Sequence, residues 1–158
     1  MEAAALLHDV DKVLPDDDPA RRLPHGEGSA DWLTRQGHPE LTRAVANHPV
    51  TRLGDGDGFE RWAAFATREE RIVAYADKRA GQRLEPMNQR FASWERRYPP
   101  GAAGTTWSDE AAREVRARAA RLQADVCRAA EVAPDEVGRL AWTGAALKAA
   151  RSRLAATR

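Results

Sequence analysis

No stretch of this sequence alternates apolar and polar side chains over a useful length, and that absence narrows the fold more than any other feature. A strand with one buried face needs that period of two, and it draws on β-branched and aromatic residues, which are scarce here. Ala supplies about a fifth of the chain, with Arg, Leu and Glu also common. All four are strong helix formers. The fold class expected is therefore all-α.

Composition excludes several other classes. At 158 residues the chain suits one domain of ordinary size, able to bury a core without a disulfide staple. Its single cysteine, Cys127, excludes a disulfide framework and agrees with a reducing compartment. Lys plus Arg number 25 against 24 Asp plus Glu, a net charge of +1. That balance gives no electrostatic reason to expect nucleic acid or an anionic membrane as partner. A hydrophobic content of 42% argues against disorder. The opening Met1-Glu2-Ala3-Ala4 lacks the basic segment of a signal peptide, and no apolar run of about 18 residues follows. A cytoplasmic protein without membrane association is expected.

Prolines and capping residues cut the chain into helices. The first is expected over residues 2–13, ended by Leu14-Pro15 and the run Asp16-Asp17-Asp18-Pro19. Ser29 is placed to cap a short helix carrying Trp32 and Leu33 that stops at Gly37. Pro39 marks the start of the next, with Leu41, Val45 and His48 on one face and Pro49 at its end. The segment from Gly54 to Gly58 reads as a flexible turn before an apolar stretch around Trp62 and Phe65. Thr67-Arg68-Glu69-Glu70 is a capping box opening a helix that runs through Asp77 and weakens near Gly81. Pro86 starts another, whose Met87, Phe91, Trp94 and Tyr98 form a core-facing stripe.

Pro99-Pro100-Gly101-Ala102-Ala103-Gly104 then breaks the chain. The division expected is a helical core over residues 1–98, a linker over 99–107 and a C-terminal antiparallel helical hairpin over 108–158. Its two helices span roughly residues 108–130 and 134–156. Val115, Ala119, Leu122 and Val126 face inward on one, and Val137, Leu140, Gly144, Leu147 and Leu154 on the other. Such a hairpin packs on the core or on a second copy of the chain, so a homodimer is open. The basic end, Lys148, Arg151, Arg153 and Arg158, reads as a solvated face, and Trp107 and Trp142 as packing anchors.

All four histidines, His8, His25, His38 and His48, fall in the first third of the chain. Adjacent residues on a helix project about 100° apart, so His8 and Asp9 share a site only at a helix edge. Burying both beside Leu6 and Leu7 is costly without a partner, and a metal ion satisfies both. The plainer alternative is a hydrogen-bonded pair at a helix end. Asp77 has its own plain reading, an ion pair with Lys78 or Arg79, and His48 has one as a cation at a helix C-terminus. His38, before Pro39, belongs to a helix start. Asp55-Gly56-Asp57-Gly58 fails as a calcium loop, because Ala66 stands where the twelfth position needs Glu.

Four segments, taken in order, resemble the HD-domain superfamily of metal-dependent phosphohydrolases. They are Leu6-Leu7-His8-Asp9-Val10-Asp11-Lys12, His25-Gly26, Asn47-His48-Pro49 and Ile72-Val73-Ala74-Tyr75-Ala76-Asp77-Lys78. A Glu/Arg/Phe-rich helix over residues 84–98 continues the likeness, which covers roughly residues 3–98. The resemblance implies an HD-like helical bundle around one or two divalent ions (Fe, Mn, Co, Ni, Zn or Mg). By it, His8, Asp9 and Asp77 bind one metal, and Asp9 bridges to a second held by His25 and His48. The activity implied is cleavage of a phosphate ester or anhydride by a metal-activated water, with a small phosphorylated substrate, foremost a nucleotide. Asp9 and Lys12 would be the catalytic pair, Lys12 lying one helical turn from His8 and offering a cation to the substrate phosphate. Asp11 would orient a ligand histidine from outside.

The family's site normally begins with another histidine on an upstream helix, and none lies among Met1 to Leu7. Truncation, a histidine supplied by another subunit, or retention of the Asp9/His25/His48 metal alone all stay open. A second reading is an HD-derived interaction or regulatory module without catalysis. A third is a helical nucleic-acid binder using the C-terminal helices, which salt-dependent affinity would reveal.

Overall fold

Thr67 does what a capping box predicts. Its hydroxyl accepts the N–H of Glu70, and the Glu70 carboxylate accepts the N–H of Thr67, opening α6 (Arg68–Arg79). In the computed structural model residues 1–80, 84–102 and 107–156 are described, the side chains at 147, 150, 151 and 153–156 excepted. Among these the chain is all-α. Before α6 come α1 (Glu2–Leu7), α2 (Glu27–Arg35), α3 (Pro39–Ala46), α4 (Thr51–Gly54) and α5 (Gly56–Phe65). After it come α7 (Met87–Arg97), α8 (Asp109–Ala129) and α9 (Ala141–Ala156). Short 3-10 turns span Val10–Lys12 and Pro19–Arg22, and the described backbone pairs strand-fashion at one bridge, Ala80 with Leu84. No described helix is long and apolar enough to cross a membrane. Gly81, Ala103, Gly104 and Arg158, and the side chains of Leu147, Arg151, Arg153 and Leu154, lie outside the described residues.

Four helix boundaries differ from the sequence expectation, and two of them trace to a side chain reached across space. The first helix ends at Leu7 rather than at 13. The Asp11 N–H, which a continuing helix would give to Leu7, goes to Ser29 Oγ at 3.1 Å, and His8 Nδ1 closes back on the Ala5 carbonyl at 2.7 Å. Ser29 itself is fully buried inside α2 rather than capping it. The N-cap is Gly26, at φ 89°, where an added Cβ would strike Pro49. Gly54 to Gly58 is helical instead of flexible, since Asp55 caps α5 by accepting the Gly58 N–H at 2.9 Å. The last helix begins at Ala141, because residues 134–139 are held as turns: Arg79 Nη1 donates to Pro134 O and Thr143 Oγ1 to Val137 O.

The core has two lobes that share α6. Val73 packs with Ala4, Leu33, Ala44 and Val45, whereas Ala74 and Tyr75 join Leu53, Phe59, Phe91, Val115, Ala119 and Leu122. The inner face of α8 is thus spent on α4 and α6, so α8 belongs to the same core. The expected pairing of α9 with α8 turns on Leu147 and Leu154, whose side chains lie outside the described residues. Trp142 is 67% exposed and joins neither lobe of the core among the described residues, while Trp107 packs edge-on against Trp94, with ring centroids 4.7 Å apart. On α7, Met87 and Phe91 are buried, but the stripe stops short of Tyr98, which follows the helix end and is exposed.

Glu70 also ties this architecture to the site. Besides its cap, the buried carboxylate accepts from Asn47 Nδ2 at 2.9 Å and Trp62 Nε1 at 3.3 Å, and pairs with Arg43. It therefore fixes the end of α3, where His48 follows, against the start of α6, which carries Asp77.

Candidate metal centre

The breaks between helices put the chemistry in one place. His8 caps α1, Asp9 lies in the turn after it, His25 precedes α2, His48 follows α3 and Asp77 lies in the last turn of α6. These are the five metal ligands that the sequence resemblance implies, and the fold gathers all five. His38 stays apart at the head of α3, exposed beside Glu40.

The imidazole tautomers follow from the partners of Nδ1. His8 Nδ1 faces the Ala5 carbonyl, His48 Nδ1 the Val45 carbonyl, and His25 Nδ1 the Asp11 Oδ2 at 2.9 Å. Carbonyl and carboxylate oxygens only accept, so in each ring Nδ1 donates, and a neutral ring keeps a bare lone pair on Nε2. These three Nε2 atoms converge. His25 Nε2 lies 3.1 Å from Asp9 Oδ1 and 3.1 Å from His48 Nε2, and His48 Nε2 lies 3.4 Å from Asp9 Oδ1. His8 Nε2 is 3.7 Å from Asp9 Oδ2 and 3.6 Å from Asp77 Oδ1. The rings pack edge to face at 4.7 and 4.8 Å.

Lone pairs aimed at lone pairs bond nothing, and the buried Asp9 Oδ1 makes no hydrogen bond among the described residues. A cation resolves both problems. Ligand bonds of about 2.1 Å place neighbouring donor atoms roughly 3.0–3.4 Å apart, close to the spacings found. Three neutral imidazoles and two carboxylates leave a charge of −2, which a divalent ion cancels. The donor set thus fits a transition metal of borderline character.

Without a cation, protons fill the gap. Burial alone would raise the Asp9 carboxyl, but the imidazoles of His25 and His48 and the Lys12 ammonium hold it far below the usual carboxylate range. Asp9 in turn raises His25 above 6.5 despite its partial burial. Burial pulls His8 down, but the Asp77 carboxylate and the Ala5 carbonyl more than restore it, and it also ends above 6.5. His48, the most enclosed, is pushed below its ordinary value by burial. Burial opposes ionisation of Asp77 too, yet Lys78 and His8 keep it well under the normal range. A cation must displace protons from rings that bind them more tightly than free imidazole does. Metal affinity should consequently begin to fall while the pH is still above 6.5, up to about tenfold per pH unit for each such ring. Calorimetric titration at pH 7.5 and 6.0 checks this; equal affinities at the two values would contradict it.

Support behind the ligands is equally specific. Asp11 Oδ2 holds His25, as the sequence reading expects, and its Oδ1 accepts the hydroxyl proton of buried Ser29 at 2.9 Å. Asp9, Asp11 and His25 stand close enough to share an ion, but both Asp11 oxygens are already engaged, so its contacts suit it to positioning His25. Ser29 escapes sequence reasoning because a serine at a helix start looks like a local cap. Asp11→Asn leaves one acceptor for two donors, so it should weaken metal binding roughly ten- to a hundredfold, with an unchanged far-ultraviolet dichroism spectrum.

A cleft of about 210 Å³ opens beside the cluster, between Lys12, His25, Asp77 and Lys78 on one side and Arg90, Phe91 and Trp94 of α7 on the other. Lys12 is half exposed, with Nζ 2.8 Å from Asp9 Oδ2. Lys78 is buried, giving its protons to Asp77 Oδ2 at 2.7 Å and His48 O at 2.6 Å. The pairing of Asp77 with Lys78 and its membership of the cluster therefore coexist. Compared with family models, with curated proteins and with solved structures, the chain matches none.

Proposed function

We propose that this chain is a metal-dependent phosphohydrolase of the HD type, cleaving a phosphate ester or anhydride of a small molecule, foremost a nucleotide. The observation that carries the reading is the convergence of three Nε2 lone pairs on two carboxylates, with every Nδ1 already committed to an acceptor. His8, Asp9, His25, His48 and Asp77 would hold the ion or ions. A divalent cation there acidifies water and offsets the charge of a phosphoryl group. Lys12 stands at the open edge of the cluster and can swing from Asp9 Oδ2 to a phosphoryl oxygen in the cleft. Lys78, enclosed and bonded to both, keeps Asp77 ionised and fixes the His48 backbone. His25 reaches both the cluster and the cleft, so a phosphate in the cleft lies against the ligands themselves.

The test is hydrolysis of p-nitrophenyl phosphate and a panel of nucleotides by the purified chain with Mn, Fe, Co, Ni, Zn or Mg. Activity should vanish on chelation and return with at least one of these ions. A metal-loaded chain that releases no phosphate from any of them would overturn the reading.

A further inference from the structure

The charges lining the cleft are unequally satisfied. Lys12 is paired with Asp9, and Lys78 with Asp77 and the His48 carbonyl. Arg90 is half-buried on the opposite wall, and while its backbone N–H donates to Pro86 O, its guanidinium makes no hydrogen bond or ion pair among the described residues. A guanidinium gives up hydration when partly enclosed, and without a partner nothing returns it. Its planar fork of donors matches two oxygens of a phosphate or carboxylate at once.

Its placement is fixed by the helix that carries it. Met87 and Phe91 seat α7 in the core, and the next row of the helix, Arg90 and Trp94 at i and i+4, lines the cleft. Trp94 is half-buried and braced edge-on by Trp107, so its ring is held in place without a ligand. One wall of the cleft therefore offers a free cation one turn from a fixed aromatic surface, facing the histidine–aspartate cluster.

We propose that Arg90 is the residue that seats the anionic group of the ligand, a phosphate, with Trp94 beside it receiving an attached planar ring. This rests on the cleft being the substrate cleft of the hydrolase proposed above, but it concerns binding and is testable without turnover. The probes are inorganic phosphate and phenyl phosphate, titrated into the full chain after metal removal and followed by nuclear magnetic resonance. The wild-type chain should bind both, and phenyl phosphate more tightly. Arg90→Ala should weaken each at least tenfold, and Arg90→Lys should recover part of the loss for both. Trp94→Phe should weaken phenyl phosphate alone. Metal uptake by Arg90→Ala should equal that of the wild type, which separates a lost anion seat from a disturbed cluster. Unchanged binding in Arg90→Ala, or no binding of either probe by the wild type, overturns the proposal. Arg90-dependent binding in a chain that hydrolyses nothing would sink the hydrolase reading and leave the anion seat standing.

Discussion

Replacing Asp9 by asparagine should strip the chain of bound metal and of phosphatase activity together. Asp9 lies within 3.7 Å of all three Nε2 atoms, and its Oδ1 is buried without a hydrogen bond among the described residues. The carboxamide removes one of the two negative charges that balance a divalent ion. It also sets an N–H donor against the Nε2 lone pairs, so the cluster can satisfy itself without a cation. Loss of an outer support typically costs ten- to a hundredfold in affinity, and loss of the central ligand should exceed roughly a hundredfold. Metal analysis after gel filtration and a phosphate-release assay measure the two effects. A variant that keeps its metal and its activity would show that Asp9 is only the helix-end partner of His8.

Phe59→Ala should have the largest effect on stability. The ring is 1% exposed in the lobe built around α6 and α8, packed 5.8 Å from Trp62, with the Arg121 guanidinium 5.5 Å over its face. Truncating a buried Phe costs about 3–5 kcal/mol. A domain of this size has only about 5–15 kcal/mol in hand, so much of its margin would go. A Tm lowered by roughly 10 °C is expected. Phe65, on the same helix but 80% exposed, is the control, with a change within about 0.5 kcal/mol for alanine. Because Phe59 lies away from the cluster, the folded variant should take up as much metal as the wild type. Coupled loss of stability and metal would mean that the two lobes do not act separately.

These contrasts mark what a sequence can tell. Most signals that act within one turn are legible: the Thr67–Glu70 box and Pro39 at the start of α3 appear as read, and the α7 stripe does as far as Met87 and Phe91, although the Asp55 cap reads as a flexible turn. Signals decided across space are not. The end of α1 depends on Ser29, eighteen residues away from Asp11, and the late start of α9 depends partly on Arg79. Glu70 is visible as an N3 glutamate, but nothing local announces Asn47, Trp62 and Arg43 as its further partners. The candidate site divides the same way. Its histidines and aspartates stand out because few residue types ligate metals, and the fold collects those named. Arg90 was hidden among the many arginines of a charged helix, and only its lack of a partner in the cleft distinguishes it.

Five side chains that form a metal centre should hold their ion through purification. The direct measurement is the metal content of the purified chain by plasma mass spectrometry, as isolated and without added metal, beside Asp9→Asn prepared identically. One or two equivalents of a transition metal in the wild type, and almost none in the variant, is the predicted result. Substoichiometric metal in both, persisting after incubation with each candidate ion, would contradict it. The cluster would then be a proton-sharing network at a helix end, and the chain would be better described as an interaction module.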